Sequence, residues 1–252
     1  MYDDLDRPPL RARPLARSLA PDGWRLEVLD ATGSTNVVAA EHARAGAAGG
    51  LVVVAESQTA GRGRLDRTWV SPPRAGLTLS VLLRPELPPE QWPWLPLLTG
   101  VAVATAVREQ AGVQAVLKWP NDVLVGGRKV CGVLVEVAAP GAAVLGIGLN
   151  VTTRADELPH DGATSLQLAG ASTTDRGVLL RAVLRSLTLV LHDVGSACTT
   201  YREWCSTIGK PVRVELPGGR HVEGLAEAVD DAGRLVVDGT PYAVGDVVHL
   251  RA

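Results

Sequence analysis

Residues 58–76 form a segment rich in Gly, Arg and Pro between two runs typical of buried β-strands, 51–57 and 77–84. A loop of this length without its own secondary structure is uncommon in a compact domain, where it is functional or mobile. Its centre is Gly61-Arg-Gly-Arg-Leu-Asp-Arg-Thr-Trp69. The glycines let backbone N–H groups approach a ligand, and the guanidinium groups match carboxylate and phosphate geometry. The segment therefore predicts an anion-binding loop presented by a sheet, although a solvated basic loop would have the same composition.

Lysine and asparagine are rare in this arginine-rich chain, and each occurs three times, at Lys118, Lys129 and Lys210 and at Asn36, Asn121 and Asn150. A lysine retained where arginine is the usual cation indicates a position at which a compact ammonium matters. The string Lys118-Trp-Pro-Asn-Asp122 holds two of these residues. Pro120 restricts the residue before it and cannot extend a strand ladder, which favours a break at the rim of a sheet. A simple turn would need only the proline and the Asn-Asp pair, so we expect Asn121 and Asp122 to face a cleft.

Hydrophobic periodicity predicts an α+β fold of one large and one small domain. Strands are predicted at 24–30, 51–57, 77–84, 116–119, 123–125, 129–137 and 143–151, and helices at 34–44, 88–112 and 174–194. Residues 209–252 contain four or five short strands separated by Gly-rich turns, which is typical of a small SH3-like barrel. We therefore expect a flexible tail at 1–22, a mixed-sheet catalytic domain at 23–207 and an SH3-like domain at 208–252.

Composition excludes several classes of function. The net charge of -2 argues against binding nucleic acid by broad phosphate neutralisation. No signal peptide is apparent, and no apolar run reaches the roughly 18 residues that a membrane span needs. The three cysteines lack CxxC spacing and the five histidines lack paired metal spacing, so we expect a cytoplasmic protein without a protein-bound metal. A GxxxxGK[ST] phosphate loop is also missing, and any nucleotide site is therefore of another kind.

The motifs occur in an order that resembles the biotin protein ligase family. They are Gly33-Ser-Thr-Asn36, Gln58-Thr-Ala-Gly-Arg-Gly-Arg64, Trp69, Lys118-Trp-Pro-Asn-Asp122, Arg128-Lys129, Gly132-Val-Leu-Val-Glu136 and Gly146-Ile-Gly-Leu-Asn150. The resemblance runs from about residue 24 to the C-terminus. It implies a mixed sheet related to class II aminoacyl-tRNA synthetases, followed by an SH3-like domain. No helix-turn-helix region precedes Trp24, so the chain resembles the non-repressor class.

The resemblance also implies an activity and its partners. ATP, with Mg²⁺, would activate biotin as biotinyl-5′-AMP and release pyrophosphate. The biotinyl group would then pass to a lysine of the biotin carboxyl carrier domain of an acyl-CoA carboxylase. We expect a monomer or weak homodimer that binds neither nucleic acid nor membrane.

Site residues follow from the resemblance by position. Those implied for biotin are Ser34, Thr35, Asn36, Gln58, Arg62, Gly63, Arg64, Lys129, Gly132 and Gly146. Those implied for ATP are Arg62, Arg67, Trp69, Lys118, Asn121 and Asn150. Our mechanistic hypothesis gives catalytic roles to Lys129, which bridges the two anionic substrates, to Arg64, which closes over the adduct, and to Asp122, which lies near the acceptor lysine. The chain departs from the family at Asp66, where glycine is common, and a carboxylate there reduces the freedom of the loop.

Three alternatives remain open on the sequence alone. A lipoate or octanoate attachment enzyme shares the catalytic fold, although its pattern centres on Arg-Arg and Gly-Gly rather than Gly-Arg-Gly-Arg. A biotin-sensing transcriptional regulator would need a DNA-binding domain. A third alternative is a protein that binds the ligands at this site but has no activity, and only an assay would distinguish it from an enzyme.

Overall fold

The structure is a computed structural model that describes residues 7–65 and 67–250, and its centre is a seven-stranded mixed sheet. The strands are β1 (Arg25–Leu29), β2 (Leu51–Ala55), β3 (Gly76–Leu83), β4 (Ala115–Lys118), β5 (Asp122–Val125), β6 (Arg128–Ala139) and β7 (Ala142–Asn150). Their order is β1-β2-β3-β7-β6-β5-β4, and only the β1–β2 pair is parallel. Strands β2, β3 and β7 are buried along their whole length. Both faces of the sheet are covered there, which explains their continuous apolar sequence.

Helices cover the two faces of this sheet. They are α1 (Ala12–Leu19), α2 (Thr35–Arg44), α3 (Leu95–Ala111), α4 (Arg176–His192) and α5 (Val194–Trp204). Helix α2 packs on one face against Val53 and Leu82, whereas α3, α4 and α5 pack together on the other. The predicted helix at 88–112 divides into a 3₁₀ segment, Pro89–Trp94, and α3. Because α3 is apolar nearly all round, it is buried along most of its length.

The C-terminal unit is a five-stranded antiparallel sheet. Its strands are β8 (Pro211–Glu215), β9 (His221–Val229), β10 (Leu235–Val237), β11 (Thr240–Tyr242) and β12 (Asp246–His249), in the order β11-β10-β9-β8-β12. The predicted SH3-like strands are thus confirmed, but within residues 7–65 and 67–250 no ladder joins β11 to β12 to close a barrel. Two indole N–H groups bind this unit to the central domain: Trp94 Nε1 donates to Asp231 O at 2.8 Å and Trp119 Nε1 to Gly233 O at 3.0 Å.

The prediction of a flexible tail is wrong for residues 7–22, and residues 1–6 lie outside the described part of the chain. Helix α1 buries Leu15 and Leu19, which lie on one face of the helix. Arg7 is also buried and donates to Glu157 and to Thr152 O. This segment is rich in Arg and Pro, and its apolar stripe consists only of Leu15 and Leu19. A stripe of two residues is too short to predict a helix.

Local turn and cap signals agree with the structure more closely. Gly126 and Gly127 have φ of 56° and 75° and join β5 to β6, as the predicted hairpin requires. Asp175 caps α4 by accepting hydrogen bonds from the N–H groups of Gly177 and Val178. None of the helices in the described residues has both the length and the apolar character needed to cross a bilayer.

Candidate active site

A cavity of about 540 Å³ lies between the central sheet and the C-terminal sheet. Every site residue that the sequence predicted lines this cavity: Ser34, Thr35, Asn36, Gln58, Arg62, Gly63, Arg64, Arg67, Trp69, Lys118, Asn121, Asp122, Lys129, Gly132, Gly146 and Asn150. They come from α2, three loops and four strands, so the fold gathers residues that are far apart in sequence. The structure fixes their positions, whereas the role of each residue remains a prediction.

Glycines on β6 and β7 form the floor of the cavity, which we call the glycine floor (Gly132, Gly146 and Gly148). Gly132 and Gly148 are directly paired between the two strands. A Cβ atom at Gly146 would lie 2.3 Å from Asn36 Oδ1, and one at Gly148 would lie 2.4 Å from Trp69 Cε2. Neither distance is physically possible without movement. Only glycine therefore lets these side chains approach the strands so closely.

A polar network of Thr35, Asn36, Gln58, Ser80 and Glu136 lies beside the glycine floor. Asn36 Nδ2 donates to Glu136 Oε2 at 2.7 Å, which orients the amide. Asn36 Oδ1 can only accept, so the Ser80 hydroxyl, 2.6 Å away, donates to it. The Thr35 hydroxyl is then the donor toward Ser80 Oγ at 2.7 Å or Gln58 Oε1 at 3.1 Å. The direction of donation is thus fixed around Asn36, whose amide is held in place before a ligand arrives.

Ser34 precedes α2 at a position where serine normally caps a helix, but its side chain makes no capping hydrogen bond. Gln58 Oε1 accepts from Thr35 N at 2.8 Å instead. The serine hydroxyl is thus not used for capping and lies on the cavity wall. The positive end of the α2 dipole is at the same wall, which favours an anionic or electron-rich group there.

The described residues of the arginine loop (61–65 and 67–69) form a small hairpin over the cavity. Trp69 N donates to Gly61 O at 2.9 Å and Gly63 N to Arg67 O at 2.7 Å. Arg62 pairs with Glu136 at 3.0 Å, and Arg67 pairs with Asp246 of β12. Asp66 lies outside the described residues. Protein carboxylates therefore hold two guanidinium groups where an anionic ligand would compete for them.

Arg64 is the most enclosed of the three loop arginines. Its Nη1 lies 3.3 Å from Asn121 Oδ1 and 3.6 Å from Asp246 Oδ1, and its Nη2 donates to Gly245 O at 3.3 Å. Burial lowers the pKa of Arg64, and the Asp246 carboxylate acts against that shift. The loop and the C-terminal sheet consequently meet at this side chain.

Two lysines share one carboxylate at the rim of the sheet. Lys129 Nζ lies 2.6 Å from Asp122 Oδ1 and 6.0 Å from the centre of the Trp69 ring. Burial lowers the pKa of Lys118, and Asp122 partly counteracts this effect. One carboxylate balances one of these two ammonium groups, so this end of the cavity favours an anion.

The predicted nucleotide residues differ in what their polar atoms do. Asn121 Nδ2 donates to Val133 O at 2.8 Å, and Asn150 Nδ2 donates to Thr164 O at 3.0 Å. Both amide groups therefore donate hydrogen bonds to backbone carbonyl groups of neighbouring segments. Trp69 Nε1, by contrast, is buried and has no hydrogen-bond partner within the described residues.

Several lining residues escaped the sequence analysis. They are Thr78, Leu79, Pro159, His160, Ala163, Gly148, Glu215, Asp246, Val247 and Val248, and Ser80 joins them through the polar network. A serine inside the apolar run of β3 is a signal that could have identified Ser80. Asp246 follows a Gly in an ordinary turn and has no local signal, because its importance depends on Arg64 and Arg67 far away in sequence.

Within residues 7–65 and 67–250, no three His, Cys, Asp or Glu side chains gather as a metal site. Magnesium usually binds through one or two carboxylates together with substrate phosphates, and it keeps several waters. The carboxylates of Asp122, Glu215 and Asp246 line the cavity. These residues fit a magnesium ion that arrives with a nucleotide rather than one held by the protein alone.

Comparisons with known proteins identify the family of the chain. Residues 28–152 match the model of the biotin/lipoate A/B protein ligase family, and residues 207–250 match that of the biotin protein ligase C terminal domain. The chain is 45% identical to the biotin–[acetyl-CoA-carboxylase] ligase of Mycobacterium tuberculosis over 98% of each protein. It is 35% identical to the bifunctional ligase/repressor BirA of Bacillus subtilis over 86% of this chain and 70% of that protein.

A solved structure is similar along most of the chain. The biotin protein ligase from Aquifex aeolicus in complex with biotin and ATP superposes with a TM-score of 0.76 at 29% identity. The similarity covers 90% of this chain and 99% of the Aquifex chain. Both domains of the fold are therefore included in the likeness.

Proposed function

Because the chain belongs to the biotin protein ligase family, we propose that it activates biotin with ATP and attaches it to a carrier-protein lysine. In the first step a biotin carboxylate oxygen attacks the α-phosphorus of ATP, and the bond to the departing pyrophosphate breaks. In the second step the acceptor amine attacks the biotinyl carbonyl carbon, and AMP leaves. The C-terminal match favours biotin over lipoate, since that model is described as a biotin protein ligase domain.

One observation carries the proposal: the neutral side chains of Thr35, Asn36 and Gln58 and a group of cations line the same cavity. Biotin has a neutral ring system at one end and a carboxylate at the other, and the carboxylate must approach a triphosphate of like charge. Fixed hydrogen-bond groups suit the ring, and nearby cations reduce the repulsion between the two anions. Positioning and electrostatics are sufficient for phosphoryl chemistry of this kind, so no enzyme nucleophile is required.

We assign roles within the cavity as part of this proposal. Thr35, Asn36 and Gln58 hold the neutral end of biotin over the glycine floor. Lys129 lies between the biotin carboxylate and the α-phosphate, and Arg64 closes over the adduct. The Lys129–Asp122 ion pair of 2.6 Å supports this role, because it holds the ammonium at the edge of the glycine floor.

The second group of cations is assigned to the phosphates. Arg62, Arg67 and Lys118 line the cavity and face the nucleotide, with Trp69, Asn121 and Asn150 around it. Magnesium, when bound with ATP, supplies further neutralisation of the pyrophosphate. Asp122 is the carboxylate that accepts a proton from the acceptor lysine, since an amine must be neutral to attack.

The acceptor is a carrier domain of acetyl-CoA carboxylase, by analogy with the Mycobacterium tuberculosis relative whose name states that substrate. We propose the cytoplasm as the compartment, which agrees with three cysteines that form no disulfide. We also propose that the protein is a monomer or weak homodimer.

The Lys129→Ala variant tests the proposal through biotin-dependent exchange of pyrophosphate into ATP. Loss of the bridging cation is expected to lower the exchange rate by about a thousandfold, as removal of one preorganised charge-stabilising donor does elsewhere. Lys210→Ala is the matched control, because Lys210 is an exposed lysine outside the cavity. Near-normal exchange in Lys129→Ala would remove the proposed role, and no exchange in the unaltered protein would refute the function.

A further inference from the structure

The two ends of the segment that carries the arginine loop meet at one buried ion pair. Glu56 directly follows β2, and Gly76 begins β3, so residues 57–75 lie between them. Arg176, the first residue of α4, donates from Nη1 to Glu56 Oε2 at 2.6 Å and lies 3.4 Å from Gly76 O. Both charged side chains are only 5% exposed. A single guanidinium therefore contacts the start and the end of the segment.

The N-terminal arm, residues 7–10, completes this ion pair. Arg176 Nη2 donates to Pro8 O at 2.6 Å, and Leu10 N donates to Glu56 Oε1 at 2.6 Å. Glu56 O also accepts from Arg74 N at 2.7 Å, near the end of the segment. The pair thus joins four parts of the chain: the arm, the end of β2, the start of β3 and α4.

A buried ion pair is weak evidence for stability alone, because the cost of removing two charges from water offsets much of their attraction. Two apolar side chains could fill the same space. They could not bind Pro8 O, Leu10 N and Gly76 O, which would be left without these partners. Because the pair is charged and makes these hydrogen bonds, it holds both ends of residues 57–75 in one geometry.

We propose that Arg176 and Glu56 are positioning residues for the arginine loop. Neither side chain lines the cavity, so they act through the loop and not on substrate. With both ends fixed, the loop samples fewer conformations and returns Arg62, Arg64 and Arg67 to the cavity. The effect on biotin and ATP rests on the proposed function, whereas the effect on the loop itself does not.

Trypsin cleavage of the ligand-free, full-length protein measures the loop directly, because its arginines are cleavage sites. We expect cleavage within residues 57–75 to be about tenfold faster in Arg176→Lys, since local opening determines the cleavage rate. Lysine keeps the charge but lacks the planar fork that reaches Glu56 and Pro8 together. Glu56→Gln, which keeps the shape but leaves the buried Arg176 charge without its partner, is the second variant, and its cleavage is expected to be at least about tenfold faster.

Kinetics give the second measurement. The KM for biotin and ATP should rise by about tenfold in Arg176→Lys while kcat changes less than about twofold, because loop closure and not chemistry is affected. Leu187→Ala is the matched control, since Leu187 is buried on the same helix and contacts the core rather than the loop. The assay temperature for Leu187→Ala is chosen so that this variant and Arg176→Lys have the same free energy of unfolding.

Two results would overturn the proposal. One is cleavage in Arg176→Lys that is no faster within 57–75 than in Leu187→Ala. The other is an unchanged KM for both substrates in Arg176→Lys and Glu56→Gln. If the unaltered protein processed no biotin, the proposed function would fail, and the cleavage comparison would still decide the positioning role.

Discussion

The glycine floor with its polar network and the arginine loop face the same cavity but are built from different interactions. Ser80 and Asn36 are buried on regular elements and joined by neutral hydrogen bonds. Arg62 and Arg67 are 53% and 63% exposed and paired with carboxylates. We therefore expect the floor to be ordered when the protein folds and the loop to exchange its partners when a ligand binds. The glycine floor is therefore suited to a rigid part of a ligand, and the arginine loop to a charged part that changes during the reaction.

Gly146→Ala is expected to have the largest effect, because it disrupts the floor. A Cβ atom there would lie 2.3 Å from Asn36 Oδ1, so the amide must move and the network loses its order. Overpacking of this kind costs about 1–3 kcal/mol, which corresponds to roughly a fivefold to 150-fold loss of biotin affinity. Calorimetric titration with biotin measures it.

The matched control for this variant is Gly33→Ala, beside the same helix. A Cβ atom at Gly33 meets nothing within 4 Å, and biotin affinity should be unchanged. Equal affinities for Gly146→Ala and the unaltered protein would mean that the floor is no more rigid than the loop.

The second prediction concerns pH at the rim between the two regions. Burial lowers the pKa of Lys118 below its ordinary 10.5, so the charge is lost earlier than usual as pH rises. A hydrogen bond to a charged group contributes about 1.5–3 kcal/mol, and we expect the KM for ATP to rise by about tenfold or more in the alkaline range. Arginine keeps its charge there.

Lys118→Arg is accordingly expected to flatten this alkaline profile even if its KM at neutral pH is higher. A profile that is the same for both proteins would assign the alkaline effect to another group.

The particular residues that the sequence analysis found share one property: their signal is local. The rare Lys118 and Asn121 stand out within five residues of each other, and the Gly126-Gly127 pair specifies its own turn. Local signals of this kind predicted most strands and the cap of α4, whereas the proposed site residues were implied by the family resemblance that the motifs carry.

What the sequence could not predict depends on contacts between distant segments. Ser80 matters because of Asn36, and Asp246 because of Arg67, far away in the chain. Arg176 has no local signal either, because its importance depends on Glu56, which is far away in the chain. Helix α1 was missed because its apolar stripe is short, and packing on the body of the protein, not propensity, accounts for such a helix.

A third prediction returns to the floor. Ser80→Ala removes the hydroxyl that donates to Asn36 Oδ1 at 2.6 Å, and an unsatisfied buried acceptor costs about 1 kcal/mol or more. Biotin affinity should fall by roughly fivefold, as measured by the same titration.

The control is Thr99→Val, which removes another buried hydroxyl, bonded to Leu95 O within α3. It is expected to lower the melting temperature without changing biotin affinity. If both variants changed affinity equally, the network would have no special connection to the ligand.

The smallest effect is expected in the arginine loop, from Asp246→Asn. Asp246 pairs with both Arg64 and Arg67, so its loss frees two cations for the nucleotide phosphates. Asp246 is 13% exposed but Arg67 is 63% exposed, and an ion pair with such an exposed member contributes about 0–1 kcal/mol, so the KM for ATP should fall by roughly twofold. Asp231→Asn is the control, because that carboxylate is exposed and pairs with Arg202 outside the cavity. A tenfold rise in KM would instead mean that Asp246 holds the loop in the one arrangement that binds ATP, which would make the loop as strictly organised as the floor.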